Sequence, residues 1–173
     1  MATSPLLHAG PAVGFDQPFD MLLACHERVQ RSLDLLLRLQ AHAATQGADA
    51  QARDAARDVL RYFDLAGPKH HEDEERHVLP RLRAAGRTAL ADRLAADHAE
   101  MGRQWAVLRT ALEALRDGHG PGPDAAACQA YADLYAGHMA AEEGEAFPTA
   151  AHQLDPATLA AMGAEMASRR RAA

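Results

Sequence analysis

Two histidine–glutamate pairs, His70 with Glu74 and His138 with Glu142, each hold their side chains four residues apart. On an α-helix that spacing sets both on one face, about 6 Å apart along the axis, where imidazole and carboxylate can reach one ion or two adjacent ions. The pairs recur in register. Each lies in a His-x-x-x-Glu-Glu stretch followed by proline, and an offset of 68 residues also matches Glu75 to Glu143 and Pro80 to Pro148. Two further histidines, His26 and His98, interrupt seams that are otherwise apolar, and an offset of 72 superimposes them together with Val29 on Met101, Leu33 on Trp105 and Leu36 on Leu108. Burying an unpartnered polar group costs about 2–7 kcal/mol, and a bare carboxylate far more. Four imidazoles and two carboxylates in one core therefore require compensation, which a pair of divalent cations provides. Two six-coordinate ions have more positions than these side chains fill, even with a bridging oxygen, so a small exogenous molecule has room to bind. Mixed imidazole and carboxylate donors with open positions favour iron, with manganese or zinc as substitutes.

Several neighbours could support such a centre. His71 competes with His70, because His71 and Glu75 share the same spacing; the 68-residue register selects His70 and leaves His71 facing solvent or backing a ligand. Glu75 and Glu143 are expected at the rim, where either could bond a ligand imidazole and fix its tautomer. Tyr135, one turn before His138, is expected in the core or as a hydrogen-bond donor to a small ligand. His77 and Glu145 read as rim residues, and Arg169 to Arg171 as a solvated helix end. Cys25 projects about 100° away from His26 around a helix, the orientation of a packing thiol.

The elements that must position these residues are helices. Long Ala/Leu/Arg/Glu stretches with few β-branched residues, punctuated by Gly and Pro, predict an all-α chain. The seam Phe19, Leu22, His26, Val29, Leu33, Leu36 predicts a helix over 19–46, and Ala91, Leu94, His98, Met101, Trp105, Leu108, Leu112, Leu115 one over 88–117. Between them a helix over 49–84 is expected to kink at Gly67-Pro68, and a fourth over 124–153 to kink at Pro148. Asp155-Pro156, a cap followed by proline, opens a last short helix to about residue 170. Short connections between four long helices predict an up-down-up-down four-helix bundle with a short extra C-terminal helix. The expected division is a loose N-terminal segment at 1–17, the bundle at 18–153 and the C-terminal helix at 154–173.

The chain's 173 residues suffice for one domain with a real core. Its 48% apolar and 24% charged residues are globular in character, and no apolar run is long enough for a membrane span. A net charge of −6, with one dense basic run, argues against nucleic acid. Two cysteines make no disulfide framework, and the opening residues lack the pattern of a signal peptide, so a cytoplasmic location is expected. No nucleophile with a base, phosphate loop or cofactor fingerprint is present, so no catalytic residue is assigned and any turnover must run through bound metal.

In this combination and order, His26, His70-His71-x-x-Glu74-Glu75 with Leu79-Pro80, Asp97-His98, and His138-x-x-x-Glu142-Glu143 with Phe147-Pro148 resemble the hemerythrin-like (HHE cation-binding) family. The resemblance implies a four-helix bundle with two Fe ions per chain, joined in the family manner by a bridging oxo or hydroxo group and ligated here by His26, His70, Glu74, His98, His138 and Glu142. It implies binding of dioxygen, nitric oxide or peroxide. Oxygen carriers of the family hold a second histidine four residues after the first in the third helix, where this chain has Gly102. That departure shifts the expectation from oxygen transport towards oxidative or nitrosative stress response or sensing, with non-enzymatic iron sensing or donation as the alternative. Oligomeric state stays open.

Overall fold

In the computed structural model, which describes residues 14–171, the first apolar seam forms α1 (Pro18–Gln46). Asp49 accepts a hydrogen bond from the Ala52 N–H at 2.8 Å and starts α2 (Ala50–Arg61). A five-residue π turn, Tyr62–Ala66, joins α2 to α3 (Gly67–His77), and α4 (Leu79–Ala84) completes the second rod. The second seam forms α5 (Thr88–Arg116). Asp124 caps α6 (Ala125–Ala141), which passes through a second π turn, Glu142–Ala146, into α7 (Phe147–Ala151). Asp155 accepts from the Thr158 N–H at 2.8 Å at the start of α8 (Pro156–Arg171).

Both expected proline kinks take the form of π turns, for a local reason. Proline has no N–H, and its ring displaces the carbonyl four residues back. The residue before each proline then bonds five residues back, Gly67 to the Tyr62 carbonyl and Phe147 to the Glu142 carbonyl. The expectation of a single kink over 49–84 is corrected. The rod breaks again at Val78, where Pro80 cannot continue the backbone ladder. The fourth rod ends at Ala151, two residues short of the expected limit.

The described residues are all-helical, with no strand among them. α1 packs on α2 and α6, and α5 packs on the same two, which makes a helical bundle; α4 packs on α5 and α7, and α8 lies on α1 and α3. Of the two seams, Phe19 and Trp105 stay half-buried and every other member is buried. The apolar core divides into two clusters. Val29, Leu36, Phe63, Met101, Leu112 and Tyr131 belong to one, and Leu22, Cys25, Leu82, Leu94, Phe147 and Met166 to the other. His26 and His98 sit in their seams between these clusters, so the polar residues form a slab with apolar packing above and below.

Of the expected N-terminal segment, residues 1–13 lie outside the described residues, and 14–17 form a turn closed by the Gln17 N–H on the Gly14 carbonyl at 3.3 Å. That turn docks on α8 at Gly163, where an added Cβ would run into the Phe15 carbonyl. The expectation of a solvated arginine end is corrected for Arg169 and Arg170, while Arg171 is exposed. Arg169 and Arg170 both bond the carboxylate of Asp73, which is fully buried. A buried carboxylate needs a cation, and α8 brings two. No helix among the described residues is long and apolar enough to cross a membrane.

Candidate metal centre

Four rods contribute to the polar slab. α1 supplies His26, α3 supplies His70 and Glu74 one turn apart, α5 supplies His98, and α6 supplies His138, with Glu142 opening the π turn that follows. All six side chains are buried, with both glutamates at 0% exposure. The six residues singled out in the sequence are thus brought to one place.

Their atoms interleave around two points. His26, His70, Glu74 and Glu142 form one cluster and Glu74, His98, His138 and Glu142 a second, each able to offer ligand atoms within 4.8 Å of one another. Both glutamates belong to both clusters, and their oxygens divide between the two. Glu74 Oε1 lies 2.9 Å from His70 Nε2, while its Oε2 lies 3.3 Å from His98 Nε2. Glu142 Oε2 lies 3.1 Å from His26 Nε2, while its Oε1 lies 3.2 Å from His138 Nε2. That is the disposition of two carboxylates able to bridge a pair of cations.

Whether the residues fit such cations is tested by what the buried atoms lack. Both oxygens of Glu74, both oxygens of Glu142 and His26 Nε2 make no aligned hydrogen bond despite these short separations. They face a shared space rather than one another, and a dry slab cannot leave them so without a large cost. The electrostatics agree. Burial works against charge on His26, yet the Glu142 and Glu74 carboxylates, 3.1 and 3.7 Å from its Nε2, raise its pKa to about 9. His70 and His98 are likewise raised against burial, chiefly by Glu74, and Glu74 is held low against burial by His70 and His26. The slab demands positive charge, as protons on imidazoles or as cations among the donors. Imidazole and carboxylate donors suit transition metals.

Carboxylates also hold the outer nitrogens. His26 Nδ1 donates to Glu143 at 2.8 Å, His98 Nδ1 to Glu75 at 3.0 Å and His138 Nδ1 to Asp97 at 3.3 Å. Such bonds fix the tautomer and turn Nε2 towards the centre, where the Nε2 atoms of His98 and His138 stand 3.1 Å apart. Asp97 was missed as a support because it adjoins His98 in sequence but serves His138 on another rod, a relation no helical spacing encodes. His71 stacks on the His98 ring, with centroids 4.2 Å apart and planes 14° from parallel. Burial, then the neighbouring His98, pushes its pKa well below the usual value, so its Nε2 is free to accept from the Tyr135 hydroxyl at 3.4 Å. Tyr135 is buried, with its own pKa pushed up by that burial. His77 pairs with Glu165 of α8 at 2.5 Å rather than marking a rim.

A cavity of about 380 Å³ reaches the His98 side of the slab, walled by Phe63, His71, Met101, Trp105 and Tyr135. Gly102 lines it, and a Cβ there would meet nothing within 4 Å.

Comparison with known proteins bears on this arrangement. The hemerythrin HHE cation-binding domain matches residues 17–150, a span that takes in all six clustered side chains and stops before α8. An uncharacterized protein of Haemophilus influenzae is 30% identical over 158 residues, covering 90% of this chain and 91% of that protein.

Proposed function

Since the chain belongs to the hemerythrin HHE cation-binding family, we propose that it is a cytoplasmic non-heme di-iron protein that binds or reacts with dioxygen, peroxide or nitric oxide in oxidative or nitrosative stress. The observation that carries this reading is the pair of four-residue clusters sharing Glu74 and Glu142, whose buried oxygens lack hydrogen bonds. His26, His70, Glu74, His98, His138 and Glu142 would hold two irons, within an up-down-up-down bundle at 18–153 that α8 follows. Iron bound there supplies redox chemistry and open positions for a small ligand.

The chain's own residues do the rest. Glu143, Glu75 and Asp97 hold three imidazoles in the tautomer that presents Nε2. The two apolar clusters keep bulk water from the slab. The cavity at Gly102 gives a diatomic or peroxide molecule a route to the His98 side. Tyr135, kept protonated by its burial and donating its hydroxyl to His71, stands beside that route. A histidine at 102 would partly fill the cavity, so its absence favours reactivity over a protected, reversible oxygen adduct.

Anaerobic loading with Fe(II), followed by visible spectra on adding air, peroxide or nitric oxide, tests the reading. Two irons per chain and a spectrum that responds to at least one of these are expected, both lost in His98→Ala/Glu142→Ala. Iron that loads yet ignores all three and passes to an apo acceptor would move the protein to iron donation. Iron uptake unchanged by the double substitution would overturn the site.

A further inference from the structure

The cavity beside His98 is larger than a diatomic or peroxide ligand requires. At about 380 Å³ it offers several times the space of such a molecule, since a water takes about 30 Å³ of liquid. Its volume falls instead among sites for small organic molecules, about 300–1,000 Å³. Two elements build it so. On α5, Ala95, Ala99 and Gly102 step by four and three along one face and line the space with small residues. No close packing calls for Gly102, because an added Cβ would meet nothing within 4 Å, and glycine inside a helix costs about 0.5–1 kcal/mol against alanine. On the second rod, the π turn Tyr62–Ala66 brings Phe63 into the wall and Asp64 onto Trp105, whose Nε1 donates to it at 2.9 Å. The Phe63 ring lies 5.1 Å from the Trp105 ring and 5.8 Å from that of Tyr135, centroid to centroid.

The polar groups of the lining select for charge. No lysine or arginine among the described residues lines the cavity, and the carboxylates of Glu72 and Glu75, 40% and 53% exposed, stand at its mouth. An anion there would meet two like charges and no cation. A cation would find both carboxylates engaged, Glu72 with Arg76 at 2.5 Å and Glu75 with His98 at 3.0 Å. A hydroxyl suits them better, because a paired carboxylate keeps lone pairs with which to accept. Aromatic walls in turn favour a flat ring, held edge-on or offset-stacked.

We propose that this cavity binds an uncharged phenol, with its ring against Phe63, Trp105 and Tyr135 and its hydroxyl donating to Glu72 or Glu75. The site goes beyond the metal reading and stands or falls apart from it. Calorimetric titration of the full-length chain tests it, with the emission of Trp105, the one tryptophan, as a second readout. Three probes of one shape serve: para-cresol, para-toluate and para-methylbenzylammonium, which at neutral pH are uncharged, anionic and cationic. para-Cresol should bind and shift the Trp105 emission, and the two charged probes should bind at least about tenfold more weakly. Gly102→Leu and Ala99→Leu, both at exposed helix positions, should each weaken para-cresol at least about tenfold while far-UV circular dichroism keeps its helical shape. Glu72→Gln, which removes one like charge, should narrow the gap between para-cresol and para-toluate. Absence of para-cresol binding, an equal or tighter hold on either charged probe, or para-cresol binding untouched in both leucine variants would each overturn the proposal. Iron loading by the six slab residues is read separately, by the Fe(II) experiment above.

Discussion

Asp73 shows how one side chain next to the centre can govern stability without touching it. It is fully buried one residue before Glu74, and Arg169 and Arg170, 14% and 22% exposed, both bond it. Removing one partner of a buried ion pair strands the other, a loss of about 3–5 kcal/mol, and the partial exposure of the arginines sets the expectation at the low end. Asp73→Asn should lower the urea midpoint of the metal-free chain accordingly while far-UV circular dichroism keeps its helical shape. An unchanged midpoint would mean that α8 docks through its methionines alone. This contact was illegible in the sequence because its partners lie 96 and 97 residues apart with no period linking them. The six slab residues were legible because two are apolar-seam interruptions and four repeat at a fixed register.

At the scale of elements, the π turn at Glu142–Ala146 sets where Glu142 stands. Its cause is Pro148, which forces the Phe147 N–H to reach back five residues to the Glu142 carbonyl. The sequence announced a kink, since proline always removes one bond, but not its form, since the choice between a bend and a π turn depends on what the neighbouring rods leave room for. Pro148→Ala should let the rod relax towards regular α-helix. The expected result is a higher melting temperature without metal, from the restored backbone bond, together with weaker metal binding as Glu142 turns away from the slab. A variant that gains stability and binds metal as tightly as the wild type would show that the π turn is incidental to the site. The break at Val78 teaches the same lesson. Pro80 was visible in the repeat, but its structural effect was masked by the assumption that one proline kink suffices for one rod.

At the scale of the molecule, α8 lies beyond the family match yet is tied to the bundle by charge. Glu165 receives hydrogen bonds from Arg169 and His77, and Arg169 chiefly lowers its pKa from 4.5 to about 2. A carboxyl whose pKa is depressed on folding adds stability that is fully present above its unfolded value and is lost as pH falls through the folded one. The gap in urea midpoint between wild type and Glu165→Gln should therefore be constant above about pH 5, shrink between 4.5 and 2, and vanish below. A gap that persists at pH 2 would place the contribution of Glu165 in packing. The slab has a different consequence, one of timing. Its side chains span residues 26 to 142, and both four-residue clusters include Glu142. No emerging chain on the ribosome holds either set until the last rod has been made and has closed against the other three. Metal capture by either full set therefore waits for the completed chain, and a bundle that has already closed has to open locally, or admit the ion along its cavity, to be loaded.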